Sequence, residues 1–372
     1  MSRPFKALGA VLYPIFVLCF VAHNTHAATF TPVFTTSDCS GPCQLPTAPD
    51  AAASADDSER NAIRKDATAS NACFRTAENG RSLVEAQCDI SALEASAHQG
   101  QVYAQNQLGL VSALDLGKGN DIRQARHWFE KAARRGYAPA QVNLAVIYIN
   151  GWGTAQNYGA ALNWLMAAAK QGALRAYADL GVLYMNGWGV RRDYAEARKY
   201  LELAANGGDS GAQSYLGYLY DGGLGVVQDY ALAVHWYRLA AENGYALGQH
   251  NLAVMFLRGQ GVRQSYQEAF HWFEKAAQQG NTGARIDLGF LLMNGLGTAK
   301  DPVAAYAWFL AASKAGDHRG DDYLATLRAT LDQQELGQAT QQAQSLNSAA
   351  FQQSIQFEPG TLVTLKERGA EP

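Results

Sequence analysis

"NGWGTAQNY" runs from Asn150 to Tyr158, and "NGWGVRRDY" runs from Asn186 to Tyr194, 36 residues further on. A glycine–tryptophan–glycine run can be a phosphate-cradling loop, a stacking platform for sugars, or a turn. The shift of 36 decides between them, because at that shift the rest of the chain also falls into columns. Gly100, Gly136, Gly172, Gly208, Gly244, Gly280 and Gly316 share one column, and Leu108, Leu144, Leu180, Leu216, Leu252, Leu288 and Leu324 share another. Trp128, Trp164, Tyr200, Trp236, Trp272 and Trp308 form a third. A fixed period without drift is the signature of stacked supersecondary units.

Each unit reads as two helices. In "AQVNLAVIYIN" (Ala140–Asn150), Ala140, Leu144, Ile147 and Tyr148 fall on one helical face, and the glycine turn ends that helix. Tyr158, Ala161, Leu162, Trp164, Leu165, Ala168 and Ala169 make a second amphipathic stretch, closed by Gly172. Asp193, Asp229 and Asp301 share the column just before the second helix, where a carboxylate caps free N–H groups. Small residues recur where the helices must meet, at Ala145 or Gly181 and at Ala161 or Ala197. The quoted loop returns as "DGGLG" (Asp221–Gly225), "RGQG" (Arg258–Gly261) and "NGLG" (Asn294–Gly297). Its glycines stay while the residue between them changes, and no lysine follows with phosphate-loop spacing. The motif is a turn that needs positive φ.

These columns carry a resemblance. "AYADLGVLYMNGWGVRRDYAEARKYLELAANGG" (Ala176–Gly208) resembles the Sel-one-like repeat, a branch of the tetratricopeptide-like helical repeats, in a form found in exported bacterial proteins. The implied fold is all-α: a right-handed α-α superhelical solenoid of 36-residue helix–turn–helix repeats, with a degenerate N-terminal cap and a C-terminal capping helix. Six repeats are expected over 104–319, although "SALDLGKGNDI" (Ser112–Ile122) lacks the tyrosine and the first loop glycine. Capping helices are expected over 320–350 and a polar tail over 351–372, since a solenoid must hide its last apolar face.

In tetratricopeptide relatives the first helices line a concave, partner-binding side. Transferred column by column, that side would hold Val142, Val146, Ile149, Ala178, Val182, Met185, Ser214 and Tyr218, then Asp221, His250, Val254, Leu257, Arg258, Ile286, Phe290 and Met293. Two readings stay open: a continuous exposed apolar stripe that marks a partner, or a stripe buried by tight curvature. The resemblance implies a scaffold or adaptor that binds a protein or peptide in envelope assembly, regulation or host interaction. A related subgroup is linked to penicillin binding and hydrolysis and carries a disulfide in each repeat, whereas no full repeat here contains cysteine.

Little else points to chemistry. Serine-acylation and zinc-hydrolysis signatures are missing. His127, His235 and His271 each precede an aromatic column residue in separate repeats and read as a solvated face. Neither enzyme activity nor a cofactor or metal is expected. A net charge of −3 gives no nucleic-acid footprint. The alternatives are a cell-wall enzyme or β-lactam-binding protein, which needs a clustered Ser/Lys or carboxylate pair, and a glycan-binding scaffold for polysaccharide export using Trp152 and Trp188.

The beginning reads as a signal peptide over 1–27: Arg3 and Lys6, then an apolar run, then "THA" at Thr25–Ala27 before the cleavage point. A periplasmic or secreted protein is expected, with no integral span after cleavage. Next come a flexible leader over 28–67, with Cys39 and Cys43, and a degenerate capping repeat over 68–103 with Cys73 and Cys88. Four cysteines allow three pairings. Extending the 36-residue frame backwards puts Cys73 and Cys88 on facing helices, predicting a Cys73–Cys88 bond and a Cys39–Cys43 bond. The other two pairings would tie the leader to the cap.

Overall fold

The computed structural model describes residues 74–76, 82–84, 90–113 and 121–353, with side chains placed for 90–113 and 121–346. The expected signal peptide, leader and cysteine pairings lie outside these residues.

Six helix pairs follow one another. The first helices are α2 (Val102–Ala113), α4 (Ala138–Asn150), α6 (Leu174–Asn186), α8 (Ser210–Gly222), α10 (Ala246–Arg258) and α12 (Thr282–Asn294). The second helices are α3 (Ile122–Arg134), α5 (Tyr158–Ala169), α7 (Tyr194–Asn206), α9 (Tyr230–Glu242), α11 (Tyr266–Gln278) and α13 (Pro302–Lys314). Each helix packs on the next in sequence, which is the connectivity of an α-helical solenoid.

Local chemistry explains the boundaries. The side chains of Asp121, Asn157, Asp193, Asp229, Ser265 and Asp301 all cap the second helices by accepting first-turn N–H groups, at 2.9–3.2 Å. The expected carboxylate column is therefore a general capping column, with asparagine and serine serving the same purpose. At the end of the first helices Gly151, Gly187, Gly223, Gly259 and Gly295 are left-handed. The next residue then donates its N–H to the carbonyl five residues back, as Trp188 does to Leu183 at 3.0 Å. The variable residue of the glycine turn thus occupies the apolar position of a Schellman cap.

The second glycine of each turn has a tertiary duty as well. Gly189, Gly225, Gly261 and Gly297 have φ of 67–73°, and a Cβ there would run into the tyrosine that starts the previous repeat's second helix. By contrast, Gly136, Gly172, Gly244 and Gly316 end second helices at φ of 80–88° with open space around them. These four are needed for conformation alone.

The core runs along one column that the aromatic pattern conceals. Phe129, Leu165, Leu201, Tyr237, Phe273 and Phe309 are all buried. A Cβ at Gly109, Gly181, Gly217 or Gly289 would collide with Phe129, Leu201, Tyr237 or Phe309. The small residues therefore do set close helix approach, as their recurrence suggests. The neighbouring tryptophan column flanks this core. A buried polar column ties the repeats: Gln105, Gln141, Gln213 and Gln249 donate from Nε2 to Ala97, Ala133, Ala205 and Ala241 carbonyls at 3.1–3.2 Å. Each bond brings a second donor to a carbonyl at the end of the preceding second helix, which also accepts the N–H of the closing glycine at 3.0–3.1 Å.

The ends depart from the periodic frame. The first helix expected for the degenerate repeat over 68–103 is replaced by an antiparallel pair, β1 (Phe74–Thr76) and β2 (Ser82–Val84), in the register Phe74↔Val84. The second helix of that unit is present as α1 (Ile90–His98), which packs on α2. Beyond α13 lie a short 3-10 turn (His318–Gly320), α14 (Asp321–Arg328) and α15 (Gln333–Gln353). Helix α15 lays Ala339 and Ala343 against α13 and reaches three residues into the stretch expected as tail.

Candidate partner-binding surface

The first helices form a layer in which α8 adjoins both α6 and α10. The structure does bring the predicted stripe into this layer, but not as one exposed surface. Val142, Val146, Ala178, Met185, Ser214, Val254 and Ile286 are buried. Ile149, Val182, Tyr218, Asp221, His250, Leu257, Arg258 and Met293 are half-buried, and Phe290 alone is exposed, at 37%. Residues in the middle of a stack are covered by the next repeat's first helix. Phe290, on the last first helix, has the short α14 beside it, where Tyr323 approaches edge-on at 6.2 Å.

Polar pairs bridge the layer at a spacing of one repeat plus one residue. Asn143 Nδ2 donates to Asn106 Oδ1 at 2.9 Å, and both residues are fully buried. At the other end His250 Nε2 lies 2.9 Å from Asp287 Oδ2, with the side chains 20% and 22% exposed. Arg319 joins this second group. It donates to both carboxylate oxygens of Asp317, at 2.9 and 2.6 Å, and a Cβ placed on Gly283 would touch both His250 and Arg319. Burial pushes the Asp317 carboxyl up, yet the Arg319 guanidinium outweighs it and holds the group below its usual range. Asp221 is raised by burial, with Arg258 opposing. The surface thus combines an apolar patch (Leu257, Phe290, Met293, Tyr323) with charged groups of both signs.

Asp287, Arg319 and Tyr323 were not among the residues predicted for this surface. Asp287 carried a signal, its spacing of 37 from His250, whereas Arg319 and Tyr323 sit past the last repeat and no column predicts them. Arg285 replaces the glutamine of the buried column and spans two repeats, donating to Ala277 O at 3.3 Å and Ala311 O at 3.0 Å. Its burial lowers the guanidinium to about 10. Asp179 is pushed up by burial, against an ion pair with Arg175 at 3.1 Å.

Residues considered for other chemistry are engaged elsewhere. Trp188 stacks on Tyr158 of the preceding repeat at 5.4 Å, and Trp152 packs on the α3–α4 core. His127, His235 and His271 are exposed, each edge-on to the next tryptophan at 5.3–5.6 Å. An open depression of about 620 Å³ lies at the third repeat's loop, lined by Tyr184, Arg191, Arg192 and Tyr194 among others. Among the described residues no helix is long and apolar enough to cross a membrane.

A family model described as "Sel1 repeat" matches six times, at residues 102–137, 138–172, 174–209, 210–245, 246–281 and 283–317. A Sel1 repeat protein from Oxalobacter formigenes is 32% identical with a TM-score of 0.55, covering 59% of this chain and 88% of its own. The protective antigen c5321 of uropathogenic Escherichia coli, described as displaying an SLR fold, is 32% identical (TM-score 0.38; 72% of this chain, 65% of its own). Immunity protein Pa5087 from Pseudomonas aeruginosa is 19% identical (TM-score 0.42; 69% and 84%). No curated protein matches the chain.

Proposed function

This chain belongs to the Sel1 repeat family, and on that premise we propose that it is an exported scaffold that binds a protein or peptide through its first-helix layer. Sel1 repeat proteins are in general non-catalytic scaffolds that mediate protein interactions. The binding region assigned here is the C-terminal half of the layer, from Tyr218 to Phe290. The observation that carries it is Phe290, an aromatic side chain 37% exposed, edge-on to Tyr323 and one helical turn from half-buried Met293 and from Asp287 of the His250–Asp287 pair. Exposed aromatic anchors ringed by polar groups are the usual energetic centres of protein interfaces. Periplasmic or secreted placement rests on the apolar leader that ends in "THA" (Thr25–Ala27).

The test is capture from an envelope extract with the mature chain and with its Phe290→Glu variant. Partners retained by the first and lost by the second, at equal helicity, support the assignment. Equal capture by both removes Phe290 from the interface. Amino-terminal sequencing of the exported product checks cleavage after Ala27.

A further inference from the structure

The buried polar column does more than join neighbours: with a residue just past each second helix it forms relays across three consecutive helices. Gln171, past the end of α5, donates from Nε2 to Gln141 Oε1 at 2.9 Å, and Gln141 on α4 donates in turn to Ala133 O of α3. Asn243, Gln213 and Ala205 O repeat this chain over α9, α8 and α7, at 3.3 and 3.2 Å. Gln279, Gln249 and Ala241 O repeat it over α11, α10 and α9, at 2.7 and 3.1 Å. Arg285 on α12 links α11 to α13 alone, through its two carbonyl bonds. Helices α3 to α5 are thereby interlocked, and so is the run from α7 to α13.

Helix α6 is left out of both chains. Tyr177 stands in the glutamine column, and Gly207 stands in the column of Gln171, Asn243 and Gln279. A tyrosine has no amide to relay, and its ring stacks on Tyr200 at 6.4 Å instead. The Ala169 carbonyl at the end of α5 accepts the Gly172 N–H at 2.9 Å and, among the described residues, no side-chain donor. Leu174, 40% exposed, lies where a Cβ on Gly207 would be. On the same helix Asp179 Oδ2 is buried without a hydrogen-bond partner among the described residues, which weakens α6 further.

Apolar contacts join α5 to α6 and α7. Leu165, Leu180 and Leu183 share one cluster, Trp188 stacks on Tyr158, and the Tyr200 hydroxyl lies 3.6 Å from Met166 Sδ, a weak acceptor. Apolar burial is non-directional, so it holds helices together without fixing their register, whereas a hydrogen bond weakens steeply with misalignment. We propose that α6 is the hinge of the solenoid: the block ending at α5 and the block beginning at α7 shift relative to each other about it, by sliding of packed helices. Curvature then changes at one place rather than evenly along the stack. The proposed binding surface, Tyr218 to Phe290, lies wholly in the second block, so the hinge stands without it.

Hydrogen exchange of the full chain, read by mass spectrometry, is the test. The amides of α6 are expected to exchange at least about tenfold faster than those of α4, α8 and α10, leaving a weakly protected helix between two protected blocks. Fraying from the chain's end would instead make α4 faster than α6 and overturns the hinge, as does equal protection of α6 and its neighbours. Leu174→Ala/Tyr177→Gln/Gly207→Gln installs the set found at Ala138, Gln141 and Gln171 and again at Ala246, Gln249 and Gln279. Gly207 has a φ of −79°, which any residue adopts. This variant should slow α6 exchange about tenfold, to the level of α4, and unchanged exchange in the folded variant overturns the proposal. Gln249→Leu removes a relay at similar side-chain size and should speed α10 exchange about tenfold while α4 keeps its rate. An α10 that stays protected in Gln249→Leu overturns the proposal even where the triple variant does not fold.

Discussion

Val146 on α4 and Phe290 on α12 occupy the same column four repeats apart, and the first is fully buried while the second is 37% exposed. The two sites belong to the same helix of the same repeat. They differ in their successors: after α4 comes the full first helix α6, but after α12 only the eight-residue α14. The bridging pairs repeat the contrast, Asn106–Asn143 fully buried at one end and His250–Asp287 part-exposed at the other. In a solenoid, the identity of a column fixes where a side chain points, and the neighbour fixes whether solvent reaches it. The same column therefore supplies core at one end and an exposed aromatic side chain at the other.

The sharpest way to break this contrast is to charge both ends of one column. Val146→Glu is expected to cost more than about 4 kcal/mol and to leave the protein partly unfolded, because the site is fully buried and the carboxylate loses its hydration there. Phe290→Glu should cost less than about 1 kcal/mol. Urea titrations followed by far-ultraviolet circular dichroism read both, and equal losses would dissolve the distinction between the halves.

The second glycine of the turn gives a smaller effect with the same logic. In the first half a Cβ at Gly153 meets chiefly the Ile122 side chain, which can yield; at Gly297 it meets the Tyr266 backbone, which cannot. Gly297→Ala should cost about 3 kcal/mol and Gly153→Ala about 1 kcal/mol less, the shared part being positive φ. Thermal melts of the two variants test the order.

For the bridging pairs, Asn143→Ala should cost about 2 kcal/mol, since it removes the donor to the fully buried Asn106 Oδ1. His250→Ala should cost under about 1 kcal/mol, because water can reach Asp287. The reverse order would show that the C-terminal pair is the structural one.

The smallest effect concerns acid. Because Asp317 is held below its usual range by Arg319, its contribution is complete above the unfolded carboxylate value of 3.8 and is lost as pH falls through the lower folded value. Asp317→Asn should flatten the acid side of the stability profile below about pH 4 by less than about 1 kcal/mol, Arg319 being half-exposed. An unchanged acid limb would place the acid sensitivity elsewhere.

Periodicity alone determined most of this protein's architecture. The six helix pairs, the glycine turn, the acidic caps and the small residues at the crossings all depend on contacts within one 36-residue unit, so each unit states them again. Repetition turns a weak local signal into a firm one. The backward extension of that frame does not hold at 74–76 and 82–84, where two antiparallel strands pair in place of the first helix the period predicts.

What only the tertiary structure decided is what lies across the next boundary. The buried phenylalanine–leucine–tyrosine column, the glutamine bonds to the preceding repeat and the close approach of Gly189, Gly225, Gly261 and Gly297 to a tyrosine backbone all join residues of different units or different helices. The predicted stripe divided into core and surface for the same reason. Burial is a property of pairs of repeats, and a column read down the sequence does not say which members have a neighbour. Position within the repeat could be read from the residues; solvent access required the stack and its end.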